Sequence, residues 1–401
     1  MRQKNDELWE RALSVIPWGT QTNAKRVVPA LADEMPAFIE RARGCRIWDA
    51  DGRQYIDYRS SLGPIVLGHG HPAVQAAVLA QLEQGVLFSM ASPLEIEAAC
   101  AVRKMAPNAE RVRFLKTGGD AVQACVRLAR AFTGRDLIIT TGYHGWQDPF
   151  AAVNAAGVPG AVRDLTLRCP FGDEERLARL FADHPGCIAA VVAIPYDWGQ
   201  DTSGRFPRVA RDLATRQGAL LIFDEVLTGF RMARGGAAEY YRIVPDLVAY
   251  AKALANGYPL AAFAGLAEYM DVLDRTVVTT TYAGETLSLA AALATLGVMS
   301  AEPVHDTIWR RGSELMAGLT GILQEFELPG EVYGLPPYFN LVFHSGDAER
   351  DARLYGTFYR ELFRQGIFST GPWLLSYAHT ADDLQETLLA AAAAARVAAA
   401  G

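Results

Sequence analysis

Short apolar runs alternate with helical segments through the middle of this 401-residue chain. The runs are hydrophobic at successive positions rather than at alternate ones, which indicates strands that are covered on both faces. This pattern predicts an α/β fold with a mostly parallel sheet flanked by helices. The predicted strands are RVRFLKT (111–117), DLIIT (136–140), CIAAVVAI (187–194), ALLIFDE (219–225), DLVAYA (246–251) and LAAFAG (260–265), and helices are predicted near 72–84, 93–106, 120–133 and 206–217.

The amino-terminal part of the chain has a different pattern. It predicts an amphipathic helix over 5–16, followed by a β-hairpin over 46–58. Asp51 and Gly52 form the turn of that hairpin, and both residue types suit positive φ angles.

The carboxyl-terminal part is dominated by long helices around one clear strand, YFNLVF (338–343). Thr380 is the expected N-cap of the last helix. A chain of this length exceeds what one hydrophobic core usually supports, so two packed lobes are expected. We predict a large domain at 59–294 and a smaller α+β domain at 295–401, and we expect the amino-terminal segment 1–58 to join the smaller domain. Helices are predicted at 285–300, before the smaller domain and at its start, and at 303–326, 349–365 and 381–399 within it.

The charge and the cysteines limit the classes of partner. The net charge of −7 argues against nucleic acid and against an anionic membrane surface. The start MRQKNDELWE lacks the apolar core of a signal peptide, and the alanine-rich end is too short to span a bilayer. We therefore expect a cytoplasmic protein that contacts neither membrane nor nucleic acid. No CxxC pair occurs, so neither a metal site nor a disulfide framework is expected from Cys45, Cys100, Cys125, Cys169 and Cys187.

Lys252 and Asp224 are the strongest candidates for chemistry. Asp224 ends the apolar run ALLIFDE, and Lys252 lies at the end of the next apolar run, in what we expect to be a buried strand. A pyridoxal phosphate (PLP) enzyme needs such a pair, because the amine forms an imine with the cofactor aldehyde and the carboxylate keeps the ring nitrogen protonated. For Asp224 a structural salt bridge with Arg231 or Arg234 is the alternative, and for Lys252 a side chain that extends to solvent.

Thr117, Gly118 and Gly119 indicate an anion site between a strand and a helix that begins near Asp120. Glycines let the backbone approach an anion, and the free amides at a helix start bind it with help from the dipole. A plain strand-to-helix turn is the alternative.

Further candidates follow two other strand ends. In GYHGWQD (142–148), Tyr143 is expected to stack on a pyridine ring, and His144 is a candidate cofactor contact, although local packing explains either residue as well. Val226 lies two positions after Asp224, on the same face of the strand, and is expected to pack against the other side of the ring.

Taken together, TGGDA, GYHGWQD, FDEVLTGFR, PDLVAYAKALANGYPLAA and TTYAGETLSLAAALATL resemble the class III, PLP-dependent aminotransferases of fold type I. The chain is most similar to the branch of glutamate-1-semialdehyde aminomutase and its relatives in amino-sugar and natural-product biosynthesis, from about residue 5 to 385. The resemblance implies that Lys252 binds the cofactor covalently, that Asp224 contacts the ring nitrogen, and that Thr117, Gly118 and Gly119 hold the phosphate. It also implies that Thr281 reaches the phosphate of a neighbouring subunit, in a homodimer with shared active sites.

The chain departs from the family pattern at three places. Gly119 stands where members usually carry a hydroxyl residue, so the phosphate site is expected to depend more on backbone amides. Ile194 and Pro195 replace the usual glutamate–proline pair. Trp18, in the loop PWGTQTNAKR (17–26), replaces a small residue and is expected either to stack on a ring-shaped substrate or to pack locally.

Substrate contacts are predicted from charge. Segment 367–380 contains no arginine, although a bidentate guanidinium is the usual anchor for each carboxylate of a dicarboxylate substrate. Lys25 and Arg26 are candidate carboxylate anchors, with a surface role as the alternative. Asp148 and Glu285 are candidates to receive an ammonium group or sugar hydroxyls.

These features predict a transaminase that aminates an aldehyde or ketone of a sugar, aminoglycoside or aminocyclitol, with an amino acid as donor. A 2,1-aminomutase, a PLP epimerase and a PLP-fold protein that only binds ligands are the alternatives. An intact Lys252 and Asp224 argue against the last of these.

Overall fold

The computed structural model describes residues 3–151, 156–199 and 201–400. The chain divides into two compact units, one formed by Met1–His71 with Asp306–Gly401 and the other by Pro72–His305.

Helices and strands are numbered in chain order over the described residues. The α-helices α1 to α13 are Gln3–Val15, Pro72–Leu82, Pro93–Met105, Gly118–Thr133, Gly160–Arg163, Glu174–Asp183, Arg205–Gln217, Gly236–Tyr241, Ala267–Met270, Thr286–Ala301, Val304–Glu325, Ala348–Arg364 and Ala381–Ala400. The strands β1 to β14 are Ile39–Arg43, Arg46–Asp49, Gln54–Asp57, Arg111–Leu115, Leu137–Thr141, Thr166–Arg168, Ile188–Ala193, Leu220–Glu225, Leu247–Tyr250, Ala261–Gly265, Gly330–Leu335, Tyr338–Phe343, Ile367–Phe368 and Pro372–Leu374.

The unit Pro72–His305 is built on a seven-stranded sheet with the order β4-β10-β9-β8-β7-β5-β6. All six strands predicted from continuous apolar runs belong to it, and the prediction of a mostly parallel α/β sheet is confirmed. Strands β9, β8, β7, β5 and β6 pair in parallel, whereas β10 is antiparallel to both of its neighbours. The central strands β7, β8 and β9 are buried at every position, which explains their continuous hydrophobicity.

The pairing brings several strand ends to one edge of this sheet. Because β10 is antiparallel to both β4 and β9, β4 runs in the same direction as the parallel strands. The carboxyl ends of β4, β5, β8 and β9 therefore lie at the same edge, and the segments that follow them carry the predicted chemistry.

The other unit contains two smaller sheets, with the orders β1-β2-β3-β13 and β11-β12-β14. The hairpin β2–β3 confirms the prediction for 46–58, but only Gly52 in its turn has a positive φ, of 86°. The carboxylate of Asp51 instead accepts hydrogen bonds from Lys4 N and Asn5 at the start of α1. Thr380 is the N-cap of α13, as expected, because its hydroxyl accepts from Asp383 N at 3.2 Å.

The borders between the units differ from the predicted borders at 58/59 and 294/295. Segment 59–71 belongs with the first unit, since Ser60 Oγ donates to Leu374 O and Tyr377 N donates to Val66 O. Helix α10 stays whole and belongs to Pro72–His305, where it packs against α2 and α3. The border predicted at 58/59 is displaced because segment 59–71 forms hydrogen bonds with residues some 300 positions later in the chain. No local sequence pattern reveals such bonds.

No single helix among the described residues is both long and apolar enough to cross a bilayer; α10 and α11 meet that test only as a pair, bent by 74°.

Candidate active site

Asp224 lies one residue before the end of β8, and its side chain is buried. An apolar strand leaves a carboxylate without water, so donors must stabilise its charge. His144 Nδ1 lies 2.8 Å from one carboxylate oxygen, and Val226 N donates to the other at 3.0 Å. Asp224 is therefore fixed by protein donors on both oxygens.

His144, which the sequence offered only as a candidate cofactor contact, is a buried partner of Asp224. Its ring is buried, and it meets the ring of Phe150 edge to face at 5.7 Å. With Nδ1 turned to Asp224, the other nitrogen, Nε2, is buried without a hydrogen-bond partner in the described part of the chain. His144 therefore orients the carboxylate of Asp224 and is a positioning residue.

Lys252 does not lie in a strand, and that expectation was wrong. Strand β9 ends at Tyr250, and Lys252 begins a short 3-10 turn, Lys252–Ala255, with a φ of 44°. A left-handed conformation is unfavourable for a residue with a side chain, and such strain commonly occurs at functional sites. The turn starts at the same edge of the sheet as the end of the neighbouring strand β8, so the two predicted catalytic residues lie at the carboxyl ends of adjacent strands.

The electrostatics favour a reactive amine at Lys252. The pKa of Lys252 is lowered to about 8, mainly by burial; the charge of Asp224 opposes the shift, and that of Arg231 adds to it. At pH 7 such an amine is neutral roughly one time in ten, whereas an ordinary lysine is neutral about once in 3,000. This role of Arg231, which is fully buried, was not predicted; its only signal in the sequence is a cation inside an apolar motif.

The segment predicted to bind an anion has the expected strand-to-helix geometry, and its role as an anion site stays a prediction. The helix begins at Gly118, two residues before the predicted start, and Thr117 is its N-cap, with Oγ1 accepting from Asp120 N at 3.3 Å. A Cβ on Gly118 would lie 2.6 Å from a methyl group of Val226. Only glycine therefore allows this helix start to pack against the segment that follows Asp224.

The loop after β5 presents Tyr143 and Trp146 to solvent, with 68% and 81% of their surfaces exposed. Asp148 is also exposed, at the start of a short helical turn. The stacking of Tyr143 and the packing of Val226 against a cofactor ring stay predictions.

Glu285 and Thr281 precede α10. Glu285 caps this helix, accepting from Leu287 N and Ser288 N, and pairs with Lys116 Nζ at 2.9 Å. These partners use much of the capacity of Glu285 to accept hydrogen bonds, which indicates a structural role. A contact between Glu285 and substrate stays a prediction. Thr281 is exposed, and its contact with a neighbouring subunit stays a prediction too.

Trp18, Lys25 and Arg26 lie in the other unit and are exposed. Trp18 has a φ of 62°, and the guanidinium of Arg26 lies 5.1 Å from the centre of its ring. This cation–π contact covers one face of the indole, and 56% of the surface of Trp18 is exposed. The substrate roles of all three residues stay predictions.

Glu225 is a second residue whose importance the sequence analysis missed. It is fully buried beside Asp224, and its carboxylate accepts from Thr228 Oγ1, Ala237 N and Ala238 N, each at 2.7 Å. These bonds tie the end of β8 to the start of α8 and so hold the loop that contains Arg231. Burial raises the pKa of Glu225 to about 7.

The residues of this edge fit pyridoxal phosphate. The start of α4 offers amides to a phosphate, buried Asp224 offers a carboxylate to a protonated ring nitrogen, and Lys252 offers an amine with a lowered pKa. Within the described ranges, no group of three or more His, Cys, Asp or Glu side chains is arranged to hold a metal ion.

Comparison with known proteins decides the family, since the aminotransferase class-III model matches residues 27–339. The chain belongs to the class-III aminotransferases. It is 35% identical to the glutamate-1-semialdehyde 2,1-aminomutase of Methanothermobacter thermautotrophicus, over 97% of this chain and 98% of that protein.

Solved structures agree with this class-III assignment. The PLP-containing FumI protein of Sphingopyxis sp. MTA144 has a TM-score of 0.92 and 32% identity, over 98% of this chain and 96% of that one. An omega-transaminase from Sphaerobacter thermophilus has a TM-score of 0.90 and 28% identity, over 98% and 97% of the two chains. The protein is thus a transaminase of fold type I with PLP as its cofactor, as the sequence motifs indicated.

Proposed function

We propose that this aminotransferase moves an amino group from an amino-acid donor to an aldehyde or ketone of a sugar, aminoglycoside or aminocyclitol, in a ping-pong reaction. The observation that carries the proposal is the loop after β5. Within one stretch of seven residues, Trp146 and Asp148 are exposed, and His144 contacts Asp224. Aromatic faces suit the apolar faces of sugar rings, and a carboxylate accepts their hydroxyls or an ammonium group.

Each residue of the site has a distinct task in this reaction. Bound PLP supplies an aldehyde that joins amines covalently and a ring that withdraws electrons. Asp224 holds a proton on the ring nitrogen, and His144 and Val226 N keep its carboxylate in place. Lys252 Nζ, whose pKa burial lowers to about 8, would take a proton from the substrate carbon and deliver it to the aldehyde carbon of the cofactor. The amides at the start of α4 hold the phosphate.

The donor and the acceptor are identified by two half-reactions. Purified enzyme with PLP is mixed with single amino acids, and absorbance follows conversion of the cofactor from its aldehyde to its amine form. The amine form is then offered aldehydes or ketones of sugars and aminocyclitols, with short aliphatic keto acids as the matched control. Reoxidation by the sugar carbonyls supports the proposal, whereas reoxidation by keto acids alone overturns it.

A 2,1-aminomutase is the second candidate, because the archaeal relative at 35% identity carries that name. An aminomutase moves the amino group within one molecule. It would form an isomer without an external donor and release no keto product. Nitrogen-15 in an amino-acid donor separates the two, since only a transaminase delivers the label from that donor to an acceptor that is a different compound. Exchange of a substrate hydrogen with solvent, without amino transfer, would indicate an epimerase instead.

We also propose a cytoplasmic homodimer with shared active sites. Exposed apolar side chains are concentrated before α3 and before α10, and Thr286 joins these segments by bonds to Gly85 O and Val86 O. Exposed apolar side chains concentrated in this way suit contact with a second copy of the chain. The five free cysteines suit a reducing compartment. A solution mass of one chain, measured by light scattering, would overturn the dimer. The exposed apolar side chains in the two segments are Val86, Leu87, Phe88, Met90, Val277 and Tyr282.

A further inference from the structure

Gln147 occupies an unusual position against the start of α4. A Cβ on Gly119 would lie against Gln147 Oε1 and 2.5 Å from its Nε2, and a Cβ on Gly145 would lie 3.1 Å from Gly119 Cα as well as against Gln147 Oε1. Two glycines, one in each segment, therefore make room for one carboxamide. The amide fills the space that a side chain at position 119 would take.

Only some of the hydrogen-bonding groups of the Gln147 carboxamide have partners in the described part of the protein. Its Nε2 donates to Asp120 Oδ1 at 3.3 Å, which uses one of two N–H groups. Its Oε1 is buried and has no hydrogen-bond partner among the residues that the structure describes. Only the remaining N–H can bind an anion, because Oε1 is an acceptor and an anion cannot donate to it.

The second N–H has an anion site beside it. Gly119 is the second residue of α4, whose first amides have no partner within the helix. The sequence lacks a side-chain hydroxyl at position 119, so no side chain of that residue can donate to an anion at the helix start. The amide of Gln147 is the neutral donor that lies in the same space.

We propose that Gln147 is a phosphate-binding residue, whose side-chain N–H donates to the phosphate of PLP in place of a hydroxyl at position 119. The inference rests on PLP as cofactor. It adds a side-chain donor from the loop after β5 to the backbone amides of α4. The same loop supplies His144 to Asp224, so one segment supports both ends of the cofactor.

Binding to the apoprotein tests the proposal without any measurement of activity. Dissociation constants are measured by fluorescence titration for PLP and for pyridoxal, which lacks the phosphate. Gln147→Ala should weaken PLP about tenfold, as expected for one hydrogen bond to a charged partner, and leave pyridoxal unchanged. Gln147→Glu keeps the size of the side chain but repels phosphate, so it should weaken PLP more than Gln147→Ala does. Gln217→Ala, an exposed glutamine of α7, is the matched control.

A second pair of variants tests whether the two positions share one space. Gly119→Ser alone should weaken PLP, because its Cβ would clash with Gln147. In Gly119→Ser with Gln147→Ala the clash is absent and a hydroxyl is restored, so PLP affinity should return towards that of the wild type. Equal PLP affinities of wild type and both Gln147 variants would overturn the proposal, as would equal losses for PLP and pyridoxal. Failure of the cofactor assignment itself would appear differently, as no PLP binding by the wild type.

Discussion

Replacing Asp224 by asparagine removes one charge and almost preserves the shape of the side chain. The structure indicates that the fold tolerates this change. The amide oxygen can still accept from Val226 N, which now lies 3.0 Å from the carboxylate. The amide nitrogen would face His144, whose Nδ1 would then accept and whose proton would move to Nε2. That nitrogen is buried without a partner within the described residues, so the cost is about 1–3 kcal/mol.

The same change should also lower the affinity for PLP and, to a greater extent, the rate of the donor half-reaction. An asparagine cannot hold the ring nitrogen protonated, so the charge-assisted hydrogen bond is lost, about 1.5–3 kcal/mol or roughly 10- to 100-fold in PLP affinity. The withdrawal of electrons during proton transfer depends on that charge, and the donor half-reaction should slow by about a thousandfold or more at saturating PLP.

The assay separates these effects. Thermal melting of the apoprotein reports the fold, titration reports PLP affinity, and stopped-flow absorbance with saturating PLP and donor reports the rate. Asp212→Asn, the same change at an exposed carboxylate of α7, is the control. A rate for Asp224→Asn within about twofold of wild type would refute the reasoning, because Asp224 would then be only structural.

Four further predictions follow from the same site. Lys252→Ala should abolish turnover with little change in melting temperature, and borohydride should attach the cofactor to the Lys252 peptide only in the wild type; turnover near the wild-type rate would contradict the assignment. Burial lowers the pKa of Lys252 to about 8, so attachment of PLP to apoprotein should accelerate with pH up to about 8 and then level off, and a rate still rising above about pH 10 would argue for an ordinary amine. Burial raises the pKa of Glu225 from 4.5 to about 7, so the folded state binds the proton more tightly; its contribution to the free energy of unfolding is present below about pH 4.5 and is lost as pH rises through 7. Urea unfolding should show this loss in the wild type but not in Glu225→Gln, and parallel pH profiles would exclude it. Thr281→Ala should weaken PLP retention in the dimer, whereas a fully active monomer would contradict shared active sites.

The chain pattern alone was sufficient to predict the sheet of Pro72–His305 and the residues at its edge. Continuous apolar runs identify buried strands because each position along them meets a covered face. Asp224 and Lys252 stood out because a charged group beside such a run needs a chemical partner. Strand Thr166–Arg168 was missed, since two partly covered residues and one exposed residue at the edge of the sheet give no such signal.

The environment of those residues was decided by tertiary structure. His144 and Asp224 are 80 positions apart, and only the order of β5, β7 and β8 in the sheet brings them to 2.8 Å. The left-handed turn at Lys252, and the carboxamide of Gln147 in the space beside Gly119, likewise depend on how neighbouring segments pack. Sequence patterns report which residues are covered, because burial recurs along the chain with the period of each element. Which residues cover one another depends on contacts between distant segments. Those contacts determined the hydrogen-bond partner of Asp224, the lowered pKa of Lys252 and the space beside Gly119.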